Sequence, residues 1–340
     1  MAYQKRKHQF PKVVSIGGGT GTAVVLSGLK NYPVDITAIV AITDDGGSTG
    51  RLRDEFGFLP AGDLRQAIAA LSEDRLVRDL LLYRFEKGGA GLKGHNLGNL
   101  ILTALEDILS SESKGVEAAG RIFRLKGKVL PVSNKPVQLA AQYQSGKIVV
   151  SEHKIEKTSI KDDKIAKLYT IPKANINPKA RQVILNGDLI ILGPGDLYGS
   201  TIANLVIRGV KETLQESRAK IVYILNLMTR VSQTYGFTAL DHIKELEKYL
   251  GRKVDFVLIN SAKIPPEVLT VYQKKEDEYP IKDDLGSDTR AVRANLLSAE
   301  QYKKPSSDIL KRSLVRHHPD RVAREIMKLL WDCVTIPKLE

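Results

Sequence analysis

The stretch that most constrains this chain runs from Val13 to Leu29, where the apolar VVSI leads into GGGTGT and then into AVVLSGL. A strand, a glycine-rich turn and a helix in that order form the opening βα unit of a parallel sheet, and the turn sets backbone N–H groups at a helix N-terminus. Gly17, Gly18, Gly19 and Gly21 leave no side chain between those N–H groups and an anion, while Thr20 and Thr22 add hydroxyl donors. The spacing is not the dinucleotide fingerprint, because Thr22 stands where the third glycine is due, and no Gly-Lys-Ser/Thr closes a Walker loop. The residues read as a phosphate-binding loop, against the plain alternative of a tight strand-to-helix turn.

The same rhythm continues along the chain. VDITAIVAIT, VLPVS, DLIILG, AKIVYILNLM and VDFVLIN have strand character, apolar on both faces as in a covered parallel sheet. Helical patterns occupy GDLRQAIAALSE, RDLLLYRFE, NLGNLILTALEDILS, NPKARQVILN, STIANLVIRGVKETLQES, FTALDHIKELEKYLG, PPEVLTVYQKK and DRVAREIMKLLWD. Between about residues 134 and 171 the texture becomes antiparallel: VQLAAQYQ and IVVSEHKI read as two strands about a Ser-Gly turn, inserted on the main sheet. The expectation is one α/β domain over 12–333, a Rossmann-like doubly wound, mostly parallel sheet, with short tails at 1–11 and 334–340.

Bulk properties exclude several classes. The 340 residues are 42% hydrophobic and 27% charged, enough for a sizeable core. No apolar run approaches bilayer length, the basic start MAYQKRKHQF lacks a signal-peptide core, and the lone Cys333 forms no internal disulfide; the cytoplasm is expected. The net charge of +13 raises nucleic acid as a partner, but the basic residues are dispersed beside acids and no nucleic-acid motif is present, so an anionic small molecule is the preferred partner.

In a parallel sheet the turns that follow the strands share one rim. The second such turn, TDDGGSTGRLR, presents Asp44 and Asp45, then Gly46, Gly47 and Ser48, then Arg51 and Arg53. The paired carboxylates suit Mg²⁺ near a diphosphate, or a general base if the protein turns over a substrate; the alternative is an Asp-Gly turn. Arg51 fits a phosphate fork or an exposed helix surface equally. In GHNLGN, His95, Asn96 and Asn99 are candidate ligand contacts, or else Asn96 caps a helix. GPGDLYGS offers Gly193, Pro194, Gly195, Leu197, Tyr198 for stacking and Ser200, and NLMT offers Asn226 and Thr229. His317 and His318 read as helix-entry residues, and no nucleophile–His–acid set stands in a recognisable context.

With IGGGTGT, AITDDGGSTGRLRDEFGFLPAGDLRQ, GHNLGNLILTAL, LIILGPGDLYGSTIANLVIRGV, YILNLMTRVSQTYGFTALDH and LVRHHPDRVAREI in view, the chain resembles the gluconeogenesis factor family, the YvcK-like relatives of the 2-phospho-L-lactate transferase CofD. The resemblance implies a CofD-type Rossmann-like fold and a nucleotide-diphosphate ligand. In the YvcK-like branch this is a UDP-sugar such as UDP-N-acetylglucosamine, tied to carbon metabolism and cell shape. In the transferase branch a phospholactyl group moves, with Mg²⁺, from a nucleotide donor to a flavin-like acceptor. It also implies nucleotide-sugar contacts at Tyr272 and Arg316, whose bland readings are a packed aromatic and a surface cation. A homodimer is compatible with both branches. Asp196, Gly199, Tyr235 and His318 depart from the family pattern and bear on ligand choice.

Overall fold

A computed structural model describes residues 10–46, 52, 61–299 and 314–335. Seven strands form a wholly parallel sheet: β1 (Lys12–Gly17), β2 (Asp35–Val40), β3 (Lys128–Pro131), β7 (Leu189–Leu192), β8 (Lys220–Ile224), β9 (Phe256–Asn260) and β10 (Ala291–Ala294). Their spatial order is β10-β9-β8-β7-β1-β2-β3. The direction of winding reverses between β1 and β7, and a ligand crevice in such a sheet opens beyond the carboxyl ends of the strands flanking that reversal.

The apolar strand runs follow from burial on both faces. Ile190 and Leu192 of β7 join one core cluster with Val14 and Ile16, while Leu189 and Ile191 join the other with Val13. The second cluster is closed by helices Gly19–Leu29, Ala61–Leu71, Leu97–Leu109 and Pro319–Thr335. The first is closed by Pro178–Leu185, Val210–Glu216, Ala239–Leu250 and the antiparallel segment.

That segment is the expected antiparallel insertion, with its hairpin about Ser145 and Gly146, and it departs from expectation in two details. β4 (Gln138–Tyr143), β5 (Ile148–Val150) and β6 (Ile165–Ile171) make their own three-stranded sheet, in the order β5-β4-β6, instead of extending the main one. IVVSEHKI is not one strand either: after Val150 the chain turns into helix Glu152–Lys157, whose N-terminus is capped by Ser151 Oγ accepting from Lys154 N–H at 3.3 Å. A serine followed by glutamate is a helix-start signal, and it overrides the strand propensity of the preceding valines.

Other boundaries yield to identifiable residues. STIANLVIRGVKETLQES is not a single helix. A π-helical turn spans Leu197–Ile202, with Ser200 and Thr201 N–H both donating to Asp196 O, and Gly209, at φ +92°, breaks the chain before Val210–Glu216. RDLLLYRFE is helical only to Leu82, because Asp74 starts that helix early and Tyr83–Phe85 pair with the 94–97 segment. Helix Glu112–Ile122, whose buried face is made only of small residues and Val116, and the four-residue strand β10 carry no strong apolar run in the sequence.

Helix Gly19–Leu29 packs on the closing helix at Gly28, where a Cβ would lie 2.3 Å from Pro319 O and 2.9 Å from Ala323 Cβ. Gly28→Ala should therefore lower stability by about 1–2 kcal/mol in urea unfolding, although alanine adds about 1 kcal/mol of helix propensity. A stabilised variant would show that the two helices are not packed this closely.

Candidate functional site

The loops after β1 and β7 meet at the winding reversal. Gly21 lies so near the second loop that a Cβ there would stand 2.1 Å from Pro194 O. Asn226, just past β8, locks that loop: its Nδ2 donates to Gly195 O at 2.8 Å and its Oδ1 accepts from Gly195 N–H at 3.2 Å. Asn204 joins the loops again, donating to Gly17 O at 3.1 Å and Ser200 O at 2.7 Å.

These loops border a cavity of about 590 Å³, a size ordinary for a small-molecule site. Of the residues singled out in the sequence, Gly18, Gly19, Thr20, Gly21, Asp44, Gly46, Asn99, Pro194, Gly195, Ser200, Asn226 and Arg316 line it. The crevice thus gathers both glycine loops, one of the paired aspartates and the arginine of the closing segment. Gly47, Ser48, Arg51 and Arg53 lie outside the described residues.

Other candidates serve the walls and do not face the cavity. Gly17 ends β1 against the Thr22 side chain, and Thr22 is buried. Asp45 turns away to accept from His153 N–H at 2.9 Å, so it anchors helix Glu152–Lys157. His95 is buried with its backbone paired to Phe85, and Asn96 caps helix Leu97–Leu109 through Asn99 N–H at 3.2 Å, the capping alternative. Gly193 takes φ +73° at the end of β7. Leu197 and Tyr198 are packed in the core, where Tyr198 hydrogen bonds with Glu245 and has no face for stacking on a base. Thr229 is tied to Tyr279, its Oγ1 accepting at 2.9 Å. Tyr272 is buried, and its hydroxyl accepts from Leu314 and Val315 N–H at 2.8 and 3.3 Å, which fixes the segment that carries Arg316.

Several cavity residues escaped sequence reasoning. Asp63 reads as an ordinary first-turn carboxylate, yet its carboxyl receives the Gly19 N–H and would meet a Cβ on Gly18 at 2.1 Å. Burial, and then the neighbouring Asp44 charge, raise its pKa to about 7. Glu152 and Glu156 come from the unexpected helix; burial holds both above the usual range, reinforced most by Asp44 at Glu152 and by Asp196 at Glu156. Gly199 lies beside Glu152, where a Cβ would stand 2.8 Å from Oε1. Asp196 pairs with Arg230 at 3.3 Å, and Arg230 reaches Glu278 at 3.8 Å. Arg65 donates to Asn99 Oδ1 at 2.8 Å. The cavity wall therefore mixes acids with arginines, Arg230 held by Asp196 and Glu278 and Arg65 by Asn99.

Among the described residues no group of three or more His, Cys, Asp or Glu gathers as a metal cage, and no helix is long and apolar enough to cross a membrane.

Comparison with known proteins adds an independent line. The family model described as 2-phospho-L-lactate transferase CofD matches residues 13–300. A putative gluconeogenesis factor of Thermotoga maritima is 43% identical over 270 residues, covering 79% of this chain and 84% of that protein. The gluconeogenesis factor of Bacillus subtilis is 39% identical over 325 residues, covering 95% and 99%. A crystal structure of a UPF0052-family protein from Bacillus halodurans superposes with a TM-score of 0.84 at 34% identity, covering 94% of this chain and all of that one.

Because folding raises the pKa of Asp63 to about 7, the stability gained by keeping it uncharged is complete below pH 4 and is lost as pH rises through about 7. Asp63→Asn, uncharged throughout, should remove that part of the slope. Urea unfolding from pH 5 to 8 should show wild type losing on the order of 2 kcal/mol relative to the variant. Parallel pH profiles would contradict the placement of Asp63.

Proposed function

We propose that this chain, which belongs to the CofD family alongside the gluconeogenesis factors, binds a nucleotide sugar of the UDP-N-acetylglucosamine type, its diphosphate lying in the cavity against the surface that the loops after β1 and β7 form together. The observation that carries this reading is the convergence of Gly18–Gly21 and Pro194–Gly195 on one cavity at the winding reversal. The positive end of helix Gly19–Leu29 favours an oxyanion there. Arg65, Arg84, Arg230 and Arg316 supply the compensating charge around it. The relatives' name supports a role in carbon metabolism, and a nucleotide sugar would link that role to envelope synthesis and cell shape.

Mg²⁺ fits this donor set. Asp44 lines the cavity as a hard oxygen ligand whose charge presses on Asp63 and Glu152, a repulsion that a cation relieves, and Mg²⁺ needs only one or two carboxylates when a diphosphate completes its shell. When bound it would neutralise phosphate charge. Asp45, engaged with His153, is not part of that set.

One observation favours a second reading, a CofD-type transferase. Asp63, a carboxyl near pKa 7 beside the phosphate loop, has the basicity of a general base at neutral pH. An acceptor hydroxyl of flavin-like type would lose its proton to Asp63 as its oxygen bonds to phosphorus. The phosphorus–oxygen bond to the departing nucleoside monophosphate then breaks. Mass spectrometry of protein, Mg²⁺, a nucleotide-diphosphate donor and such an acceptor should reveal a phosphodiester product; none across uridine and guanosine donors removes this reading.

For the primary reading, isothermal titration with UDP-N-acetylglucosamine should give saturable 1:1 binding. Gly19→Val, which forces a β-branched residue to φ +64°, should weaken it at least tenfold. Equal binding by wild type and variant, or none by wild type, would contradict the site.

A further inference from the structure

Helix Leu97–Leu109 is apolar on the side that turns away from the core. Its inward face is Gly98, Asn99, Leu102 and Thr103, all buried. Gly98 sits so close to the preceding helix that a Cβ there would stand 2.4 Å from Leu81 O. One turn of helix takes 3.6 residues, so the opposite face is Leu97, Ile101, Ala104 and Ile108. Leu97 and Ile101 are half-buried, Ala104 is exposed, and Ile108 is 75% exposed. A surface helix normally turns polar residues outward, and one that is apolar on all sides is normally covered. The neighbouring helix Arg75–Leu82 adds Leu76 at 68% and Leu80 at 46% exposure.

The spacing of the stripe and the charges at its ends define what covers it. Steps of four, three and four residues are those of a coiled-coil seam, so the complementary surface is another helix with the same spacing. Asp107 lies in the last turn, where the negative end of the helix dipole disfavours an acid, and no basic residue stands in that turn. No acid stands in the first turn, and the exposed Lys93 comes just ahead of it. Both placements run against the helix's own dipole. A second copy laid antiparallel reverses both, because Lys93 and the positive end of each helix then approach Asp107 of the other. A parallel copy would set like charges together. Ala104 falls near the middle of the seam, where a small side chain lets two helix axes come close.

We propose that the outer face of helix Leu97–Leu109 is the interface on which a second copy of this chain docks, the two helices antiparallel about a two-fold axis. Helix Arg75–Leu82 flanks the seam with Leu76 and Leu80. Helices of 13 and 8 residues make an interface at the small end of the specific range, so the dimer should dissociate at micromolar concentrations. The seam lies on the opposite side of the helix from Asn99, which lines the cavity, so docking does not depend on the ligand held there.

Sedimentation equilibrium of the full chain from about 1 to about 200 µM should follow a monomer–dimer equilibrium. Ile108→Asp, at the most exposed position of the stripe, should weaken dimerisation at least about tenfold. Asp107→Lys and Lys93→Glu should each weaken it roughly threefold to tenfold, by setting like charges together. An equimolar mixture of those two variants should regain the wild-type affinity, since each heterodimer then holds two opposite pairs. All three side chains are exposed, so the variants retain the fold, which circular dichroism checks. A chain that stays monomeric throughout, or a dimer untouched by Ile108→Asp, would overturn the interface. Charge variants that leave the dimer unchanged, or that weaken it with no recovery in the mixture, would overturn the antiparallel docking.

Discussion

Two turns of backbone approach so closely at the centre of this molecule that one methyl group between them would not fit. Gly21 faces the Pro194 carbonyl, and a Cβ at that position would stand 2.1 Å from its oxygen. The contact sets the floor of the cavity, because it brings the loop after β1 and the loop after β7 into one surface. The amides of Asn226 and Asn204 then hold the surface in place through four hydrogen bonds to backbone. Asn226 Oδ1 takes up the Gly195 N–H and the Asp63 carboxyl takes up the Gly19 N–H, so side chains hold both loops rigid.

The electrostatics of the cavity are mixed, and that has consequences. Asp44, Asp63, Glu152, Glu156 and Asp196 act on one another strongly enough that burial and mutual repulsion raise three of them. The arginines lie among these acids: Arg230 is gripped by Asp196, and Arg65 is held by Asn99. The cavity therefore presents anchored cations among buried acids, not a diffuse positive field. The chain-wide charge of +13 is a poor guide to such a site, since the residues that matter are fixed by local partners.

Much of the fold was legible because strands buried on both faces must be apolar at every position. VVSI and LIIL announce themselves, and the glycines that follow mark the rim. The site was legible where glycine was needed for close backbone approach, as at Gly18–Gly21 and Gly195. It was illegible where function depends on distance in sequence. Glu152 and Glu156 reach the cavity only because a helix begins at Ser151, inside what reads as a strand. Asp63 carries no local signature, for a first-turn acid looks the same whether it faces water or a cavity. Tyr198 and Tyr272 show the reverse error: aromatic residues beside rim motifs are packed inward, where their rings fill the core and their hydroxyls brace it.

The most direct measurement of the central claim is a crystal structure of the protein with a bound uridine diphosphate sugar. Both phosphorus atoms should lie in the cavity against the backbone of Gly18–Gly21 and Pro194–Gly195, at the N-terminal end of helix Gly19–Leu29. Diphosphate density away from that surface, with no anion against either turn, would contradict the account.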